Sequence, residues 1–205
     1  MIRRLSLALC LAALAPLLAF GRPPEPQPLH RGEWLSGRFV QERHLAGLAA
    51  PLHSEGHFLL AAGKGLVWHS EKPFDTAVVM TEAGLLQLVN GQESQRLPAT
   101  RMPFLAQLYD MLGAALGGDW SALARTFSIQ RQTRASGWTI TLTPLRHGDA
   151  APPLQSITLA GSAFVDRIEF RRPNGDWDEL SLSEQSRSSA PLPEAEAKLL
   201  QMDGP

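Results

Sequence analysis

The chain has 205 residues, with 19 Lys and Arg against 20 Asp and Glu and a formal net charge of −1. That length suffices for one domain with a sizeable core. No long block of one sign appears, so the electrostatic footprint of a nucleic-acid partner is missing.

The first 21 residues read as a secretory signal. "MIRR" is a short basic start, "LSLALCLAALAPLLAF" an apolar run broken by Pro16, and Ala19 and Gly21 are small residues where a signal peptidase reads. The run is short for a membrane span. Cys10, the only cysteine, lies inside this segment, and "LALC" comes too early in the run for a lipobox. A soluble exported protein follows, with no disulfide staple and stability resting on its core. Removing residues 1–21 leaves 17 basic against 20 acidic residues.

"RPPEPQP" opens a proline-rich segment over 22–34 that reads as extended. One domain is expected over 35–190, then a tail over 191–205. Five extended segments come first: "GEWLSGRFVQERHL", "LHSEGHFLLA", "GLVWHS", "FDTAVVMT" and "GLLQLVN". Gly, Pro and Asn-Gly separate them, which marks an antiparallel meander. In "GKGLVWHSEKPFD", Leu66 and Trp68 share one strand face and Val67 takes the other.

From Thr100 the period changes. Phe104, Leu105, Leu108, Met111, Leu112 and Leu116 stand at helical spacing, with Thr100 as a start and Gly117-Gly118 as a stop. "DWSALARTF" predicts a short second helix. Five more strands follow, "FSIQRQTR", "GWTITLTP", "LQSITLAG", "FVDRIEFRR" and "WDELSLSEQ", and the tail predicts one helical turn. One apolar face per strand implies one covered face, and the insert has the stripe to cover part of it.

No catalytic set emerges: there is no G-x-S-x-G elbow, no Gly-rich phosphate loop and no H-E-x-x-H. His53 and His57 lie about 13 Å apart if their segment is extended, so with His44 and His69 they read as surface histidines rather than metal ligands. No cofactor is expected. What remains is apolar surface: Phe39, Phe58, Leu60, Leu66, Trp68, Val78, Met80, Trp138, Ile140 and Leu142 on strand faces, with the helical insert opposite. Periodicity alone favours an ordinary core beneath a helix, and composition and pattern do not say whether the space inside is filled.

The order of the motifs resembles that of the outer-membrane lipoprotein carrier family (LolA), in its shorter, divergent LolA-like branch. The matching stretches are "GRFVQERHL", "SEGHFLLAAGKGLVWHSEKPF", "GGDWSALARTF", "GWTITLTP" and "RIEFRRPNGDWDELSL", over most of residues 35–185. The resemblance implies a mainly β fold: an incomplete, strongly curved antiparallel β-barrel with a helical lid over an apolar cavity. It implies non-enzymatic carriage of acyl chains through the periplasm by a monomer. The cargo would be an acylated lipoprotein or a lipid, the partners an inner-membrane exporter and an outer-membrane acceptor. Phe39, Phe58, Leu60, Leu66, Trp68, Val78, Met80, Trp138, Ile140 and Leu142 would line the cavity, and Phe104 to Leu116 would form the lid. The family's best-known members carry a basic-basic-proline step whose arginine latches the lid; here Ala61-Ala62-Gly63 stands in its place. LolA-like proteins of this type are also associated with other acylated products, such as aryl-polyene lipids. Two other classes remain: an acyl hydrolase using Ser36, Ser54 or Ser70, and a solid-core adaptor.

Overall fold

The computed structural model describes residues 26–101, 113–117, 119–145 and 154–201. Eleven strands form one antiparallel sheet: β1 (Trp34–His44), β2 (Leu52–Ala61), β3 (Gly65–Lys72), β4 (Thr76–Met80), β5 (Gly84–Val89), β6 (Gln92–Pro98), β7 (Phe127–Arg134), β8 (Gly137–Pro144), β9 (Ser156–Gly161), β10 (Val165–Arg171) and β11 (Trp177–Ser188). Their spatial order is β6-β5-β4-β3-β2-β1-β11-β10-β9-β8-β7. Each half is a plain meander, and β1 and β11 join the halves through the register Phe39↔Leu182 and Gln41↔Leu180.

The sheet does not close, since β6 and β7 are its edges. Laid flat, eleven strands would span roughly 50 Å. Yet Leu66 of β3 and Trp138, Ile140 and Leu142 of β8 belong to one buried cluster, so the sheet curls around it. The predicted incomplete barrel is the fold observed.

The first half has six strands where the hydrophobic pattern predicted five. β6 is exposed along its length apart from Leu97. Its pairing follows from the turn at Asn90 and Gly91, both with positive φ (52° and 74°), the geometry of a tight hairpin.

Helical residues 113–117 (α1) and α2 (Trp120–Leu123) lie between the halves, and α3 (Glu194–Gln201) ends the chain. Ala114, Ala115, Leu116 and Leu123 enter the main cluster, so both helices cover the concave face. Of the expected lid residues, Leu116 is there, 3 % exposed. Phe104, Leu105, Leu108, Met111 and Leu112 lie outside the described residues.

The expectation of one covered face needs correction. Val67, Ala77, Val79, Leu86 and Leu88 form a second buried cluster on the convex face, with Leu199 and Leu200 of α3 packed against it. The tail is thus a two-turn helix rather than one turn, and β3 to β5 are apolar on both faces.

Candidate functional site: the concave face

Cross-strand register gathers the predicted residues. Phe58 pairs with Trp68 and Leu60 with Leu66 across β2 and β3. Trp68 then faces Val78, and Leu66 faces Met80, across β3 and β4. Partners in register point to the same side, so all six share the concave face. Phe39 reaches the same group from β1, and Trp138, Ile140 and Leu142 reach it from β8.

Trp68 is the centre of an aromatic stack. Its ring lies 4.1 Å from that of Phe39 and 5.7 Å from that of Phe58, both near parallel. Gly56, the cross-strand partner of Phe39, contributes no side chain between them. On the other flank, Trp120 meets Trp138 edge-on at 5.4 Å. The Trp138 indole N–H donates to the Ser162 carbonyl (2.7 Å), which satisfies its one polar atom.

Burial divides the set. Phe39, Phe58, Leu66, Ile140 and Leu142 are at most 1 % exposed. Leu60 and Trp138 are also buried, whereas Trp68, Val78 and Met80 are half-buried. The concave face is therefore tightly packed in its middle and partly accessible beside β3 and β4.

Small residues let α1 approach. A side chain built on Gly113 would just touch Leu60, and one on Gly117 would touch Leu29 and Leu60. The Leu29 N–H donates to the Gly117 carbonyl at 3.0 Å, tying the N-terminal segment to α1. Arg187 holds the same segment from β11. It donates to the Gln27 carbonyl (3.2 Å), to the Pro28 carbonyl and to the Glu33 carboxylate (2.6 Å). The Glu33 carboxyl lies below its ordinary range because the His30 backbone N–H, then Arg187, hydrogen-bonds its charged form. Beneath this strap lies a pocket of ≈340 Å³ lined by Leu29, Leu35, Leu116 and Phe164 among others. Neither Leu29 nor Arg187 was found by sequence reasoning. "SEQSRSS" carries no periodic or motif signal, and contacts across 150 residues are invisible to local pattern.

The polar candidates sit elsewhere. On the convex side, Glu71 accepts from Arg38 (2.9 Å) and pairs with His57 Nδ1 (2.9 Å). These bonds, that from Arg38 first, lower the Glu71 carboxyl to about 2. His69 bonds Asp75 at 2.6 Å, and His44 stacks on Trp177. Among the described residues no three His, Cys, Asp or Glu side chains are placed to hold a metal ion. The hydroxyls of Ser36, Ser54 and Ser70 bond Ser186, Gln41 and the Lys72 carbonyl, none of them a general base.

An open antiparallel sheet curled around an apolar face, with helices laid across that face, is the architecture of a half-barrel binding protein. The chain belongs to the family described as outer membrane lipoprotein carrier protein LolA-like, which it matches over residues 26–203. No curated protein matches it in sequence. Among solved structures it is similar to a chain of the MucA/MucB complex of Pseudomonas aeruginosa (14 % identity, TM-score 0.46, covering 81 % of this chain and 55 % of that one). It thus spans about half the length of that protein. It is similar also to a LolA superfamily protein from Nitrosomonas europaea (12 % identity, TM-score 0.38, covering 84 % and 90 %). A further likeness is to an outer membrane lipoprotein-sorting protein domain from Vibrio parahaemolyticus (8 % identity, TM-score 0.37, covering 83 % and 92 %). Among the described residues no helix is long and apolar enough to cross a membrane.

Proposed function

We propose that this protein is a periplasmic carrier that shields the acyl chains of a lipoprotein or lipid in transit from the inner to the outer membrane. The observation that carries this reading is the apolar concave cluster, which draws side chains from nine of the eleven strands, β1–β4 and β7–β11, and packs against α1 and α2. Each methylene withdrawn from water there is stabilised by about 0.8 kcal/mol, so handover needs a rank order of apolar affinities and no cofactor. Phe39, Phe58, Leu60, Leu66, Trp68, Val78, Met80, Trp138, Ile140 and Leu142 are the proposed lining. Trp68, Val78 and Met80 meet cargo first because they are already part-exposed. The insert from Phe104 to Leu116 is the proposed lid, and its displacement makes the room. The carrier domain spans 35–190 behind a cleaved signal of 21 residues, and the protein works as a monomer between an exporter and an acceptor.

Native mass spectrometry of the mature protein purified from its own periplasm tests this. A co-purifying mass of one or two acyl chains is expected. A bare protein that also takes up no added fluorescent fatty acid would return the concave cluster to the status of a solid core and make an adaptor the better reading.

A further inference from the structure

The two ends of the curled sheet differ in chemistry. At the end where β1 begins, the strap through Leu29 and Arg187 crosses the barrel. Four pockets formed by described residues, each of ≈270 to ≈340 Å³, open at this same end. The other end carries the β1–β2, β3–β4, β5–β6, β8–β9 and β10–β11 connections. Among the described residues four large apolar side chains are exposed: Leu48 (54 %), Leu52 (51 %), Phe74 (73 %) and Leu145 (55 %). All four lie at this second end. Leu48 and Leu52 are at the β1–β2 connection, Phe74 is at the tip of β3–β4, and Leu145 follows β8.

Scattered exposed leucines need no explanation, but four gathered on one rim do. From this arrangement we propose that the rim is a docking surface for a lipid bilayer, entered by Phe74, Leu48, Leu52 and Leu145. The inference deepens the carrier reading and rests on it for its purpose: the rim would seat the carrier on a membrane, where it meets its exporter or acceptor. The side chains stand on three separate connections, two next to each other at β2 and β3 and one five strands away. Isolated protruding tips suit a fluid surface that deforms around them. The four pockets named above lie at the opposite end, so a second copy receiving the tips there would make a head-to-tail contact, which builds rings or open filaments rather than a two-fold pair.

Four basic side chains behind the tips are engaged by carboxylates, and beside Phe74 the exposed Asp75 carboxylate is held by His69. Arg43 bonds Asp178 (2.7 Å), Lys72 bonds Glu55 (2.6 Å), Arg171 bonds Glu169 (2.6 Å), and Arg172 also pairs with Asp178. Docking is therefore apolar in origin, with little dependence on salt or on anionic lipid.

Flotation of the mature protein with vesicles decides the matter. It should float with phosphatidylcholine vesicles and with phosphatidylethanolamine–phosphatidylglycerol vesicles alike, at low and high salt. The double variant Leu48→Ser/Phe74→Ser, altered only at exposed tips, should keep the wild-type circular dichroism. Its vesicle partition should fall at least about tenfold, as expected from two large side chains losing their buried area. Equal flotation of the variant, or no flotation of the wild type, overturns the proposal. So does a lipid-free dimer that the variant dissociates, since it assigns the rim to a second copy. Fatty-acid uptake without vesicles, measured on the same preparations, keeps the two readings apart. Uptake without flotation overturns only the docking surface, and flotation without uptake overturns the carrier.

Discussion

Gly56 shows how one residue can fix a local geometry that no pattern predicts. A Cβ there would stand 1.9 Å from the His69 carbonyl oxygen and 2.9 Å from Ser70 Cα, both backbone atoms of β3. Neither can move without breaking the β2–β3 pairing that sets Phe58 against Trp68. Gly56→Ala should therefore destabilise the fold by about 3 kcal/mol, read as a lower urea midpoint. Asp178 is the complementary case, a carboxylate 4 % exposed between Arg43 and Arg172. Asp178→Ala removes two charge-assisted bonds at once, and because both arginines reach solvent the expected loss is about 2 kcal/mol by the same assay. Glu71 makes a prediction in pH instead. Its folded pKa is depressed to about 2. The stabilisation is thus fully present above the unfolded value of about 4.5 and fades as pH falls through 2. The melting-temperature gap between wild type and Glu71→Gln should shrink steadily as pH falls below about 4.5.

At the scale of elements, the strands with one clean apolar face were legible, because alternation at period two is a direct image of a half-buried strand. "GWTITLTP" became β8 with Trp138, Ile140 and Leu142 buried, as its alternation required. Trp68 and its partners were placed on one face for the same reason. β6 escaped because a polar edge strand buries neither face and leaves no alternation to read; only its Asn-Gly turn announced it. α3 was misjudged in extent and role. Eight residues without a fully buried side chain look like a frayed tail, and the face they cover was visible only as Val67, Val79 and Leu86 sitting opposite the expected face. Leu200 lies so close to the start of β3 that a Cβ on Gly65 would stand 2.6 Å from it. Replacing Leu199 and Leu200 by Ser should cost about 2 kcal/mol and expose the convex cluster, seen as new binding of a hydrophobic dye. An unchanged dye signal would mean that α3 shields nothing.

For the whole molecule, the question is whether one apolar cluster can serve as both core and cargo site, and the burial pattern separates the two roles. Leu66 is 0 % exposed and packed among Phe58, Leu60 and Met80. Leu66→Glu would put a carboxylate where no partner waits, so it should unfold the protein rather than report on cargo. Met80 and Val78 share the same face but are half-buried, so a polar replacement there keeps one side in water. Met80→Gln and Val78→Gln should each leave the urea midpoint within about 1 kcal/mol of wild type, as is usual away from a fully buried site. Each should nevertheless weaken uptake of a fluorescent fatty acid about fivefold, the equivalent of slightly more than one methylene left in water. A double variant that folds and still takes up lipid at wild-type affinity would remove the β3–β4 flank from the path of the acyl chain. Entry would then have to lie near the pocket beneath the Leu29 strap, where Phe164 and Leu35 offer the alternative apolar wall.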